Sequence, residues 1–235
     1  VTRKGFERSE KAAGRTVAEI LQTIDYLNRL NGPERSRRER RKRMRKCFAR
    51  IELLIEWLLL ASYIETYLRE YNSLRASVPW IISGPPRKIP GPEIRKRIVT
   101  RIKGKTFRER LRKHEADYLD RTEAIRRAEE DGVLKRSDAE TLLRGTTGPE
   151  GIGGLGYKLS TLARTENAAA VSKAAVLAMK DAGVQFYKVK AILDSRTCSG
   201  CWEINEKIFP VTEAKVGVNL PPFHPNCRCY IEAVV

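Results

Sequence analysis

Histidine and long apolar runs are scarce in this 235-residue chain, and each shortage removes a class of function. There are 2 His and 2 Met, and aromatic residues make up 7%. A metallohydrolase built on several histidines with an open metal position is therefore short of ligands. No stretch approaches the roughly 20 apolar residues that cross a bilayer. The richest run, Trp57 to Ile64, is bounded by Glu56 and Glu65, so a transmembrane protein is not expected. The opening Val1-Thr-Arg-Lys-Gly leads into no apolar segment of the secretory kind, so no export signal is expected in it. Glycine is crowded between Gly145 and Gly156, but no strand followed by Lys-Ser/Thr accompanies it. A phosphate-binding loop is excluded there and a hinge is expected.

Acidic residues are also in deficit. The chain has 46 Lys+Arg against 29 Asp+Glu, a net +17 with pI ≈ 9.9, which favours a polyanionic partner. Residues 157–235 hold 10 basic and 7 acidic residues, so the surplus sits upstream. Its densest part is Arg35 to Arg50, where Arg35, Arg37, Arg38, Arg40, Arg41, Lys42, Arg43, Arg45, Lys46 and Arg50 are interrupted by six other residues. This segment is the candidate grip on nucleic acid or on an acidic partner, against the plainer reading of a solvated helix face.

Hydrophobic content of 41% is enough for a core. Val17, Ile20, Leu21, Ile24 and Leu27 recur at helical spacing and stop at Gly32-Pro33. A second helix is expected to carry the basic run and continue to Leu74, with Leu54, Trp57, Leu58, Ala61, Ile64 and Leu68 as its apolar stripe and its basic start projecting beyond its packing partner. Pro79 to Pro92 contains five prolines and reads as a linker that buries Trp80. Pro92 suits the first position of a helix ending near Gly104. Thr106 to Glu109 has capping-box spacing before a charged helix that Gly132 stops, with His114 solvated on it. Ser137 to Glu140 has the same spacing before a short helix.

From Tyr157 to Asp181 an Ala-rich helix is expected, closed by Gly183. The period then changes to two over Val184 to Leu193. Ile208 to Val211 reads as an edge strand and Arg228 to Val235 as a last strand. The fold class is α+β: a mostly helical N-terminal two thirds with long basic helices, and a small C-terminal module of an Ala-rich helix on a short antiparallel sheet. The divisions expected are a basic helical arm (1–78), a Pro-rich linker (79–92), a charged helical region with a Gly-rich hinge (93–156) and a compact module (157–235).

Four of the five cysteines lie in the last 38 residues, unlike a disulfide-stapled secreted domain, and a reducing cytoplasm is the better expectation. Cys198-x-x-Cys201 and His224-Pro-Asn-Cys227-Arg-Cys229 supply five ligands in two clusters. The spacing fits a zinc knuckle meeting a second ligand pair, with Gly200 permitting the first turn. Zinc takes four of the five, and disulfides between the clusters or unliganded thiols are the competing readings. No catalytic residue is expected, because a Cys-rich set reads as closed and structural. Asp194 and Arg196 read as turn formers, Arg196 pairing with Glu166 or a strand-end carboxylate. Arg164 and Glu166 point from different helix faces to different neighbours.

Arg164-Thr-Glu166 in an Ala-rich helix, then Asp194-Ser-Arg-Thr-Cys-Ser-Gly-Cys201, then Pro221-Pro-Phe-His-Pro-Asn-Cys-Arg-Cys229, in that order, resembles the C-terminal module of phage Mu F-like head-morphogenesis proteins over about residues 157–235. The resemblance implies a minor capsid protein of a tailed phage or prophage, associated with the portal vertex and head interior. It also implies a role in assembly and DNA packaging or delivery. The partners expected are the portal protein, a major capsid or scaffolding protein and packaged double-stranded DNA, in the virion and, during assembly, in the host cytoplasm. A zinc-stabilised nonspecific DNA-binding protein, or more distantly a nuclease or toxin-type enzyme, is the alternative.

Overall fold

The computed structural model describes residues 3–30, 36–77, 85–99, 105–147 and 154–235. Seven helices appear among them: α1 (Arg3–Leu30), α2 (Arg37–Ser77), α3 (Gly91–Ile98), α4 (Phe107–Glu130), α5 (Arg136–Thr147), α6 (Leu155–Asp181) and α7 (Ser199–Ile204). Three strands follow α6: β1 (Phe186–Lys190), β2 (Ile208–Pro210) and β3 (Tyr230–Val234). The fold is α+β, as the sequence predicts. The chain divides into two compact units, one of Val1–Ala13, Trp57–Thr106 and Arg164–Val235, the other of Gly14–Glu56 and Phe107–Ala163.

In the first unit α6 is the core. Ala168, Ala169, Ala170, Ala174, Ala175 and Ala178 are all buried, with Val171, Leu177 and Met179. A helix buried on every side needs small residues where neighbours approach closely, and alanine also favours the helix. Its end is a Schellman motif: Gly183 at φ +73 donates to the Lys180 carbonyl (3.1 Å) and Val184 to that of Met179 (2.9 Å). The chain then enters an antiparallel sheet ordered β2-β1-β3. Tyr187 and Val189 of β1 face the core, and Phe6 of α1 stacks on Tyr230 of β3 at 5.9 Å.

In the second unit the basic start of α2 is packed. Met44, Phe48 and Ile51 are buried, Phe48 lies 6.5 Å from Tyr118 of α4, and Arg37 pairs with Glu123 at 2.8 Å. Arg108 of α4 pairs with Glu52 at 2.7 Å and also with Glu56. The projecting arm expected from the sequence is thus corrected: one face of the basic segment is anchored. His114 is half-buried rather than solvated, and burial pushes its pKa down.

Farther along α2 the buried face is Ile55, Leu58, Leu59, Tyr63, Tyr67, Tyr71 and Leu74, while Trp57 is 70% exposed and Ala61, Ile64 and Leu68 also face out. Only Leu58 of the expected stripe is fully buried, with Leu54 half-buried. Pro92 sits in the first turn of α3 as expected, but Trp80 and Gly104 lie outside the described residues. α5 starts one residue ahead of Ser137, with Asp138 and Ala139 bonded to the Lys135 carbonyl, so Ser137 is inside the helix and not its cap.

Candidate metal centre

The site is assembled from the segment leaving β1, the start of α7 and the turn before β3. Asn205 accepts the Ala191 N–H (2.8 Å) where β1 ends. The chain then turns on Asp194, whose Oδ1 accepts the Arg196 N–H (2.9 Å). Thr197 locks the turn: its hydroxyl accepts the Asp194 N–H (2.9 Å) and donates to the Ile192 carbonyl (2.6 Å). Cys198 caps α7, its carbonyl accepting from Cys201 and Trp202 at 3.1 Å each. Gly200 lies inside α7 with nothing near an added Cβ, so the glycine is not what makes this turn possible.

His224 closes the ring from the other side, with the Cys227 N–H bonded to its carbonyl (3.2 Å). Its Nε2 lies 3.3 Å from Cys198 Sγ and 3.1 Å from Cys201 Sγ, and Cys201 Sγ lies 3.9 Å from Cys227 Sγ. All five sequence-predicted ligands converge, as two triads that share Cys201: Cys198, Cys201 and His224, then Cys201, Cys227 and Cys229. No carboxylate joins either triad among the described residues. The cysteines are free thiols. A cavity of ≈ 20 Å³ lies between Cys198, Cys201, His224 and Cys229, room for about one small sphere.

These residues fit a tetrahedral cation. Zinc–sulfur and zinc–nitrogen bond lengths imply ligand-to-ligand edges of about 3.6–3.8 Å; His224 Nε2 stands slightly inside that distance from Cys198 and Cys201, Cys227 stands 3.9 Å from Cys201, and four ligands about one ion require the two triads to draw together. His224 Nδ1 lies 2.9 Å from the Pro225 carbonyl. That contact assigns the proton to Nδ1 and leaves the Nε2 lone pair toward the sulfurs, as in metal-ligating histidines. Hydrogen bonding from Cys229 holds the Cys227 thiol below the ordinary thiol range, against its burial, and burial pushes Cys201 up. A cation bound at the cluster would favour the thiolate forms of these cysteines.

The motif residues outside the ligand set divide. Asp194 is bound by both terminal nitrogens of Arg228, at 2.6 and 2.5 Å, a bidentate clamp tying the first cysteine pair to the second. That clamp holds the Asp194 carboxyl well below the usual carboxylate range. Arg196, expected to pair with Glu166 or a strand-end carboxylate, is exposed and 3.9 Å from Asp194. Arg164 is exposed and Glu166 buried, on different faces of α6. Between them the buried Thr165 accepts the N–H of Asn226 (3.1 Å), a residue at φ 56. Sequence reasoning missed Arg228, Thr165 and Asn226. A cation between two cysteines was the available signal for Arg228, and nothing local marked the others.

The cationic candidates lie in the other unit. Arg38, Lys42, Arg45, Lys46 and Arg50 are exposed, Arg40, Arg41 and Arg43 are half-buried, Arg37 is exposed and paired with Glu123, and Arg35 lies outside the described residues.

A family model described as Phage Mu protein F like protein matches residues 93–232. The chain belongs to the phage Mu F-like family. The match covers more than half of it and reaches upstream of Tyr157 into α3, α4 and α5, where no motif had suggested it. Both Mu F-like cysteine clusters and the Arg164–Glu166 segment fall within the match. Membership points to a phage head-morphogenesis protein working in a multi-subunit virion assembly. No curated protein and no solved structure matches the chain. No described helix is long and apolar enough to cross a membrane.

Proposed function

We propose that this Mu F-like chain is a minor head component at the portal vertex and head interior. In this reading a structural zinc clasps its C-terminal segments, and the exposed cations of α2 contact packaged DNA or an acidic portal, capsid or scaffold surface. The observation that carries it is the convergence of five soft ligands, without a carboxylate, inside a chain of a head-morphogenesis family. A closed sulfur-rich set stabilises structure and leaves no position for a reacting water, so the role is mechanical and the chain is not an enzyme. Cys198-x-x-Cys201 with His224-x-x-Cys227 forms the preferred ligand set, in which a bound ion draws Cys227, 3.9 Å from Cys201, toward the Cys198–Cys201–His224 triad and leaves Cys229 outside it.

Two measurements test the reading. Elemental analysis of protein purified without added metal is expected to give one zinc per chain, and a stable, fully reduced, metal-free protein removes the clasp. Pull-down on purified portal is expected to retain the chain. Failure to bind portal, together with cleavage of plasmid DNA by the chain, turns the reading toward an enzyme.

A further inference from the structure

A pocket of ≈ 390 Å³ opens in the first unit beside α6, α3 and the loop 214–220. Its floor is apolar (Val176, Leu177, Leu220) and its edge is cationic (Lys173, Lys180, Lys215). A fourth cation, Arg97, is already engaged: it donates to Glu93 at 3.1 and 2.7 Å. Lys173 donates to the Arg97 and Val99 carbonyls at 2.9 Å each, leaving one of its three N–H groups. Lys180 and Lys215 are exposed and have no ion pair among the described residues.

Among the described residues neither lysine forms an ion pair with Asp181 or Glu213, the carboxylates nearest to them in the chain. Glu93 is committed to Arg87 and Arg97, and Asp181 accepts the Tyr67 hydroxyl at 2.8 Å. The loop wall is built in advance. Asn219 accepts the Lys215 N–H (2.7 Å) and donates to the Glu213 carbonyl (3.1 Å), Tyr187 donates to the Asn219 carbonyl (3.2 Å), and Gly217 supplies φ +83. A wall ordered before binding lowers the cost of binding.

We propose that this pocket docks an acidic peptide segment of a partner protein, one that carries an apolar side chain beside its carboxylates. The site goes beyond the head-component reading and stands without the metal centre. Concavity and floor decide for peptide over nucleic acid. Phosphate contacts follow a backbone along a surface, whereas these cations surround an apolar recess that phosphate leaves unfilled.

The test uses the intact chain and a fluorescein-labelled, acetylated pentapeptide of alternating Glu and Leu, read by anisotropy. Replacing Glu by Gln in the peptide, or combining Lys180→Glu with Lys215→Glu in the protein, is expected to weaken binding at least about tenfold, with the helical circular dichroism unchanged. Combining Arg38→Glu with Lys42→Glu in the basic segment of α2 is expected to leave it intact. The proposal is overturned if the pocket variant binds as well as the parent, if the α2 variant alone abolishes binding, or if a short DNA duplex displaces the peptide at matched charge.

Discussion

Cys201 is the residue on which the two ligand triads depend, since it belongs to both. Cys201→Ser is therefore expected to abolish zinc retention, with a fall in Tm on the order of 10 °C if several kcal/mol of metal binding is lost. Cys229→Ser should retain stoichiometric zinc. Equal loss in both variants, by elemental analysis, would reject the proposed ligand set. Asp194 acts one step away, through Arg228. Asp194→Asn is expected to weaken zinc affinity by about 10–100-fold in chelator competition, as outer partners of ligands do, and Arg228→Lys should not rescue it because the fork is lost. The folded carboxyl titrates below its ordinary 3.8. The clamp is thus complete above about pH 4 and is lost only as pH falls through the folded value. The gap between wild type and Asp194→Asn should stay constant from pH 5 to 8, and a gap that closes above pH 5 contradicts the assignment. The ligands themselves are legible in the sequence, because Cys and His are rare and their spacing carries chemistry. Arg228 as the partner of Asp194, 34 positions away, is a product of tertiary closure that spacing does not encode.

Helix α6 shows how far composition alone can specify an element. Its alanines announce the helix, and Gly183 announces its end. All seven of those alanines are also buried, so neighbouring backbones approach within alanine's reach. Ala175→Leu is expected to cost about 1–3 kcal/mol or more by overpacking, read as a lower denaturant midpoint. A neutral result would show slack around the helix. Helix α2 marks the limit of the same reasoning. Leu54, Trp57, Ala61, Ile64 and Leu68 are a convincing apolar stripe, yet the buried face carries Tyr63, Tyr67 and Tyr71 with Ser62 and Thr66 beside them. Tyrosine buries a large ring while keeping a polar tip, and Tyr67 uses its tip to donate to Asp181. Hydroxyl-bearing residues make the inner face look polar, so periodicity locates the helix and selects the wrong side of it.

At the scale of the whole molecule, the +17 charge becomes a functional question only through its placement. Burial of Met44, Phe48 and Ile51 turns Arg38, Lys42, Arg45, Lys46 and Arg50 toward solvent at helical spacing. A row of cations held by a packed helix meets a polyanion without first paying to order a flexible arm. If this row neutralises about five phosphates of duplex DNA, log K should fall with log salt with a slope of about −4.5 and be indifferent to sequence. Charge reversal at Arg38, Lys42, Arg45 and Lys46 together should remove most of that slope and leave zinc content unchanged. A flat salt response rules out DNA as the partner of this face. Salt alone does not separate DNA from an acidic protein surface, so the same variant must also be offered to purified portal. Loss of portal capture with DNA binding intact would assign the cationic row to protein, whereas retention of portal with DNA binding lost assigns it to the packaged genome.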